Sequence, residues 1–327
     1  MGIDPDVSEP DVSAPPPGHP GRTGRNLPVA IAVGVVLGGL ALVTLFTVKA
    51  TFLLYVAAIV GMAAWELSRA LATRDIHLAL VTLFTVKATF LLYVAAIVGM
   101  AAWELSRALA TRDIHLTLVP VAAGGAAMLG LAYWAGDRDT LAALILTVVA
   151  ILAWRLPRGA AGYVRDVTAS VFTVAYLPLM AVFVALMLAR PDGDKRALLF
   201  IIMTICSDIG GYFAGITLGR HPMAPVISPK KTWEGLGGSA VACLAAGAIG
   251  LPLLLHGRVW QGLLLGAAAV AAATLGDLAE SMVKRDLEIK DMGTVLPGHG
   301  GILDRIDSLL IMAPVVWLLL TWVVPRG

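Results

Sequence analysis

Residues 281–307 read SMVKRDLEIKDMGTVLPGHGGILDRID and lie between two apolar runs, 259–278 and 308–324. Nine charged side chains and a histidine fall in that stretch. Each flanking run is about long enough to be a membrane span, since ~20 apolar residues cross a ~30 Å hydrocarbon core. A charge at the bilayer centre costs about 2.5–3.5 kcal/mol on insertion scales, so a dense charged cluster set against spans reads as a functional site.

The rest of the chain agrees with that reading. At 327 residues, 58% hydrophobic and 14% charged, with a mean hydropathy of +0.85, it has too little polar surface to coat a water-soluble globule. The expectation is an all-α polytopic integral membrane protein with about nine transmembrane helices. Spans are predicted near 28–46, 50–67, 116–136, 140–154, 167–189, 197–218, 235–255, 259–278 and 308–324, with a tenth candidate at 78–102. Residues 1–27, rich in proline and acid, read as a disordered cytoplasmic tail without signal-peptide order, and Asp6 argues against a myristoyl anchor. Residues 28–115 form the N-terminal membrane helices, and 116–327 the domain that carries the chemistry.

Residues 40–78 recur letter for letter as 78–116, both copies containing VTLFTVKATFLLYVAAIVGMAAWELSRALATRDIH. Solenoids need three or more diverging units, so two identical copies point to a recent duplication or an assembly error. A second full crossing would invert everything downstream. Without it, the basic segments GRTGR, WRLPRGAAGYVR, GRHPMAPVISPKK and SMVKRDLEIK all fall on one side, the cytoplasmic one. The second copy is therefore expected to be re-entrant, interfacial or absent from the working protein, the alternative being an outside N-terminus.

A formal net charge of +2 gives no basis for binding nucleic acid. Cys206 and Cys243 lie inside apolar spans with no CxxC pairing and no nearby histidine, so both read as packing residues.

On a helix, Asp277, Ser281 and Lys284 step by four and three, projecting a carboxylate, a hydroxyl and an ammonium from one face. Asp304 and Asp307 sit three apart at the start of the last helix, with Arg305 between them. Acids in a first turn also suit the helix dipole, which is their bland explanation. Between these helices, LPGHGG at 296–301 lets backbone N–H groups approach an anion, with His299, Gly300 and Gly301 in the loop.

A second constellation, CSDIGGYFAGITLG, places Asp208 about halfway along an apolar helix, with Gly211, Gly215 and Gly219 as a close-packing stripe. After it, ISPKKTWEG at 227–235 offers Lys230 and Lys231, with Thr232 as the expected N-cap and Trp233 at the interfacial belt. Asp208, Asp277 and Asp304 thus stand on three helices, beside Lys230, Lys231, Lys284, Arg285, Lys290 and Arg305. Hard oxygen ligands with phosphate-binding cations suit Mg²⁺, with a second cation allowed.

The order of serine, KR, KD, PxHGG and DRxD between Ser281 and Asp307 resembles the signature of the phosphatidate cytidylyltransferase family, and CSDIGGYFAG and ISPKKTWEG match it in order and spacing. The likeness covers roughly 116–324 and is motif-specific from 207 onward. It implies a reaction of CTP with phosphatidate at the lipid bilayer of the inner (cell) membrane, with the site facing the cytoplasm. It also implies metal-binding acids at Asp277 and Asp304, with Asp208 as a further site acid. Catalytic roles would fall on Asp277, Asp304, Lys284 and Asp208. Substrate binding would fall on Lys230, Lys231, Ser281, Arg285, Lys290, His299, Gly300, Gly301 and Arg305. The WEL tripeptide of the family's N-terminal region occurs twice, at Trp65–Leu67 and Trp103–Leu105, so the working copy is open.

Three alternatives stay beside this reading. A cytidylyltransferase or CTP-dependent kinase acting on an isoprenoid lipid would use a similar site. An ion-coupled transporter would use Asp208 alone, but the dense lysines and the local repeat do not suit one. The pattern of a CDP-alcohol phosphotransferase, DGxxAR followed by GxxxDxxxD, is not visible. A homodimer is compatible with the sequence without being indicated by it.

Overall fold

The computed structural model describes residues 76–293 and 301–324, with side chains from residue 87 onward. The tail 1–27, the spans at 28–46 and 50–67 and the first repeat copy up to residue 75 lie outside the described residues, as do His299 and Gly300. Residues 84–327 form one compact unit.

The described chain is helical apart from one short hairpin. Its elements are α1 (Ile76–Ala110), α2 (Leu118–Trp134), α3 (Asp137–Arg155), α4 (Tyr163–Tyr176), α5 (Pro178–Leu188) and α6 (Gly193–Leu218). A hairpin of β1 (Pro222–Ala224) and β2 (Ser228–Thr232) follows, then α7 (Trp233–Leu255), α8 (Val259–Asp286) and α9 (Leu303–Val323). Among the described residues, seven stretches are long and apolar enough to cross a membrane, and α2 is apolar but shorter. The protein is an all-α polytopic membrane protein, as its composition requires.

The second repeat copy departs from expectation. It is a continuous helix, α1, of which Lys87–Ala110 has the length and hydropathy of a span. Its unbroken course is not that of a re-entrant segment. Leu91, Val98, Ala101, Ala102, Leu105 and Leu109 of this copy are all buried in the core beside α2 and α4 residues. A run of apolar helix formers with no internal proline offers no place to turn back.

The expected single span at 167–189 is instead divided at Leu177, because Pro178 cannot donate the N–H that would continue the ladder and restricts the residue before it. The hairpin was not foreseen. Its strands are antiparallel, with Pro222 opposite Thr232 and Ala224 opposite Ser228.

Alternation of helix direction sorts the connections into two ends. The segments after α1, α3, α6 and α8 share one end, and that end carries WRLPRGAAGYVR, GRHPMAPVISPKK and SMVKRDLEIK. Contacts bear this out: Arg112 Nη2 pairs with Glu288 Oε2 at 2.9 Å, and Arg285 Nε donates to the Ile227 carbonyl at 3.1 Å. At the other end Lys87 Nζ donates to the Arg190 carbonyl at 3.1 Å, and Gln261 Nε2 to the Val323 carbonyl at 3.0 Å. Partial burial there would raise the Asp192 carboxyl, but the bond from Arg196 Nε at 2.8 Å, the charges of Arg196 and Arg190 and a backbone N–H together outweigh it and hold the group below the usual range.

The glycine stripe of α6 does pack closely. A Cβ on Gly211 would stand 2.5 Å from Ser239 Oγ of α7, one on Gly215 would make ordinary contact with Thr232 at 3.7 Å, and Gly219, the residue that ends α6, would meet Thr232 Cγ2 at 3.1 Å; Gly210, outside the expected stripe, comes as close, 2.6 Å from the Gly238 carbonyl oxygen. Helices in lipid associate through such van der Waals approach, because lipid is as apolar as their side chains. Ser239 Oγ also donates to the Ser207 carbonyl at 2.6 Å, and Cys243 Sγ is 3.4 Å from that of Met203, so Cys243 packs as expected.

Candidate active site

The site begins where α8 outlasts its apolar run. The sequence DLAESMVKRD contains strong helix formers, so the helix continues to Asp286 and carries Asp277, Glu280, Ser281 and Lys284 on adjoining faces. Gly276 decides what those side chains meet. A Cβ there would lie 2.5 Å from the Asp307 carbonyl oxygen and 3.0 Å from Ser308 Cα, so α8 and α9 cross nearly backbone to backbone at this point.

Two acid–base groups result. In the first, Asp277 lies within hydrogen-bonding reach of Asp307 on α9, and its Oδ2 is also bonded by Lys231 Nζ from β2. Asp307 Oδ1 accepts from the Ser308 N–H at 2.7 Å. In the second, Lys284 Nζ bonds Glu280 Oε2 and reaches Asp304 Oδ1 at 2.9 Å. Asp304 Oδ2 accepts from the N–H groups of Met292 at 3.0 Å and Gly301 at 2.7 Å, so its carboxylate ties together the two ends of the loop between α8 and α9. The Tyr176 hydroxyl is buried, has no hydrogen-bond partner among the described residues, and lies within electrostatic reach of Asp277, Glu280 and Asp307.

Glu104 completes the loop's support. It is 1% exposed; its Oε2 accepts from the Leu303 N–H at 3.0 Å, and Gly293 and Gly301 pass against its carboxyl. This is the glutamate of the second WEL, so the described geometry gives that copy a definite role in the unit. Among the described residues, Glu104 Oε1 and Glu280 Oε1 are both buried without a hydrogen-bond partner.

The other expected residues are distributed unevenly. Thr232 caps α7 as predicted, its Oγ1 accepting from the Gly235 N–H at 3.1 Å. Arg285 is exposed, and its Nε donates to the Ile227 carbonyl, tying α8 to the hairpin turn. Lys230, Lys290 and Arg305 are exposed, and Ser281 is half-buried on α8. Asp208 lies half-buried on α6, within electrostatic reach of Cys243 on α7. Glu280, Tyr176 and Asp307's place beside Asp277 were not singled out from sequence. The signal for Glu280 was available, three residues after Asp277 and four before Lys284.

No group of three or more His, Cys, Asp or Glu suited to a metal ion occurs among the described residues, so Asp208, Asp277 and Asp304 do not form one ligand cluster. A two-carboxylate Mg²⁺ site does fit. Asp277 and Asp307 set two carboxyl groups side by side, with Glu280 Oε1 nearby and unpartnered among the described residues, and Mg²⁺ commonly takes one or two carboxylates, completing its shell with water and phosphate oxygens. A carboxylate pair of this kind is relieved by a cation.

Residues 71–323 match the model of the cytidylyltransferase family. The chain is 35% identical over 316 residues to the phosphatidate cytidylyltransferase of Mycobacterium leprae (strain TN), covering 92% of this chain and 89% of that protein. It is 41% identical over 215 residues to the one of Mycobacterium bovis (strain ATCC BAA-935 / AF2122/97), covering 62% and 70%. The phosphatidate cytidylyltransferase of Brucella suis biovar 1 (strain 1330) is 40% identical over 141 residues, covering 42% and 52%. With a family match over most of its length and a relative aligned nearly end to end, this membrane protein is a nucleotidyltransferase that belongs to the cytidylyltransferase family.

Proposed function

We propose that the protein transfers CMP from CTP to phosphatidate, giving CDP-diacylglycerol and pyrophosphate at the cytoplasmic side of the cell membrane. The observation that carries this reading is the joining of lysines to carboxylates across α8, α9 and the KK hairpin, at the one end of the helices where the basic segments collect. Lys231 and Lys284 are anchored on Asp277 and on Glu280 with Asp304, and so present ammonium groups where an incoming triphosphate can exchange with a carboxylate. The basic loops favour a cytoplasmic orientation for this end.

A phosphatidate phosphate oxygen forms the new bond to the α-phosphorus of CTP, the α–β bridging bond breaks, and pyrophosphate carries the electron pair away. The attacking oxygen is already ionised, so no general base is needed. Asp277 and Asp307 would hold Mg²⁺, which supplies neutralisation of the triphosphate charge. Lys284 and Lys231 stabilise charge on the leaving pyrophosphate, while Asp304 and Glu104 hold the backbone around Gly301 in place. Catalysis is then mainly positioning and electrostatics.

The test is transfer of label from α-labelled CTP by the purified protein, offered phosphatidate and polyprenyl acceptors side by side. Labelled CDP-diacylglycerol is expected. Labelled product with a prenyl acceptor alone would move the assignment to an isoprenoid lipid, and no transfer to either would overturn it.

A further inference from the structure

A cavity of about 490 Å³ opens at the same end of the helices, between the loop after α1 and the turn that joins α3 to α4. Asp113, His115, Arg155, Arg158, Arg165 and Asp166 line it. None of these residues belongs to the α8–α9 site.

Its back wall is a built structure. Arg155 and Asp166 are 4% and 3% exposed and bond at 2.9 Å, Nε to Oδ2. Arg155 also donates from Nη1 to the Gly159 carbonyl at 3.1 Å and from Nη2 to that of Ala161 at 2.7 Å, and Asp166 Oδ1 accepts from the His115 N–H at 3.0 Å. A buried ion pair is a costly way to gain stability that apolar packing supplies as well. Here it fixes the shape of a turn in which Gly159 and Gly162 adopt φ of +79° and +68°, leaving small residues where side chains would fill the space.

The rim has cationic groups to spare. Arg165 pairs with Asp113 at 3.1 Å, while Arg158 is exposed and makes no ion pair among the described residues, and His115 is exposed beside it. Three arginines against two aspartates leave one net positive charge, or two with His115 protonated. Next to the lining residues in the chain, Trp154, Leu156 and Val164 at the facing ends of α3 and α4 are 50%, 64% and 75% exposed, without lining the cavity themselves. A cation pocket at a span's end, flanked by outward apolar side chains, is matched to a ligand with an anionic head and an acyl tail.

We propose that this cavity binds the phosphate headgroup of an anionic phospholipid, with Arg158 as the principal contact and Arg165 and His115 beside it. The site is separate from the one where CTP and the acceptor react.

The test uses the full chain, purified and placed in nanodiscs of phosphatidylcholine with increasing phosphatidylglycerol, without CTP. Retained phosphatidylglycerol is counted by native mass spectrometry for the unmodified protein, Arg158→Glu and Arg138→Glu. Arg138 is exposed at the opposite end, so that variant carries an equal charge change elsewhere. The expected result is roughly tenfold weaker retention in R158E, the loss due to one charge-assisted hydrogen bond, with R138E unchanged. Turnover of R158E in neutral lipid should equal that of the unmodified protein, which shows that it is folded. Competition by inorganic phosphate at equal concentration would identify a free phosphate as the occupant of the same charged pocket, whereas resistance to it identifies the lipid. Equal retention in all three proteins would overturn the proposal.

Discussion

Replacing Glu104 with alanine, in parallel with Glu66 of the first copy, asks which half of the duplication works. The Glu104 carboxylate accepts from the Leu303 N–H at 3.0 Å and fills the space between Gly293 and Gly301, where added Cβ atoms would lie 2.6 and 2.7 Å from its oxygens. Truncation leaves that N–H buried and unsatisfied, at a cost of about 1–3 kcal/mol. The strain falls on residues 301–304, which position Asp304, so the same energy read as a loss of ordered site is roughly a 5- to 150-fold drop in turnover. Glu104→Gln keeps an oxygen for Leu303 and should lose far less. Glu66→Ala should transfer CMP at the unmodified rate. The assay is the initial rate of label transfer from CTP to lipid at matched amounts of folded protein, checked by size-exclusion chromatography. Full activity in E104A, or an equal defect in E66A, would refute the assignment of the loop's support to the second copy.

Asp304→Asn should lower label transfer by at least about 100-fold while membrane insertion is unaffected, because both the Lys284 partner and the charge on the Gly301 clasp are lost; near-normal turnover would count against its role. Gly276→Val should separate α8 from α9 at their crossing and remove activity together with Mg²⁺-dependent thermal stabilisation, whereas Gly237→Ala, where a Cβ meets nothing within 4 Å, should be silent in both assays. Asp307→Asn should weaken Mg²⁺ activation, read as a rightward shift of the Mg²⁺ titration, and an unshifted curve would remove Asp307 from the metal pair. Asp166→Asn should destabilise the protein by about 3–5 kcal/mol through the orphaned Arg155 charge, seen as a lower melting temperature in detergent, and a larger drop in activity than in stability would contradict a purely scaffolding role.

Much of the fold was legible because its signals are local. Apolar length marks a span whatever its neighbours are, and all seven spans expected downstream of the repeat are present as helices, one of them divided at Pro178. Thr232 as a cap and the glycine stripe of α6 depend on residue type and spacing alone, and both stand. The hairpin holding Lys231 escaped notice because its strands are three and five residues long, too short to show an alternating pattern.

What sequence alone determined is the class of molecule, the end of the helices that carries charge, and the list of groups able to handle phosphate. Which acid stands beside which was settled only by packing. Residues three apart on a helix differ by about 60° around its axis, enough for Asp304 to turn toward Lys284 and for Asp307 to face Asp277. That divergence depends on where two helices cross, and the crossing is placed by a missing side chain at Gly276 together with a carboxylate, Glu104, brought in from a helix about two hundred residues earlier. Periodicity describes one helix at a time, and the site belongs to the contacts between them.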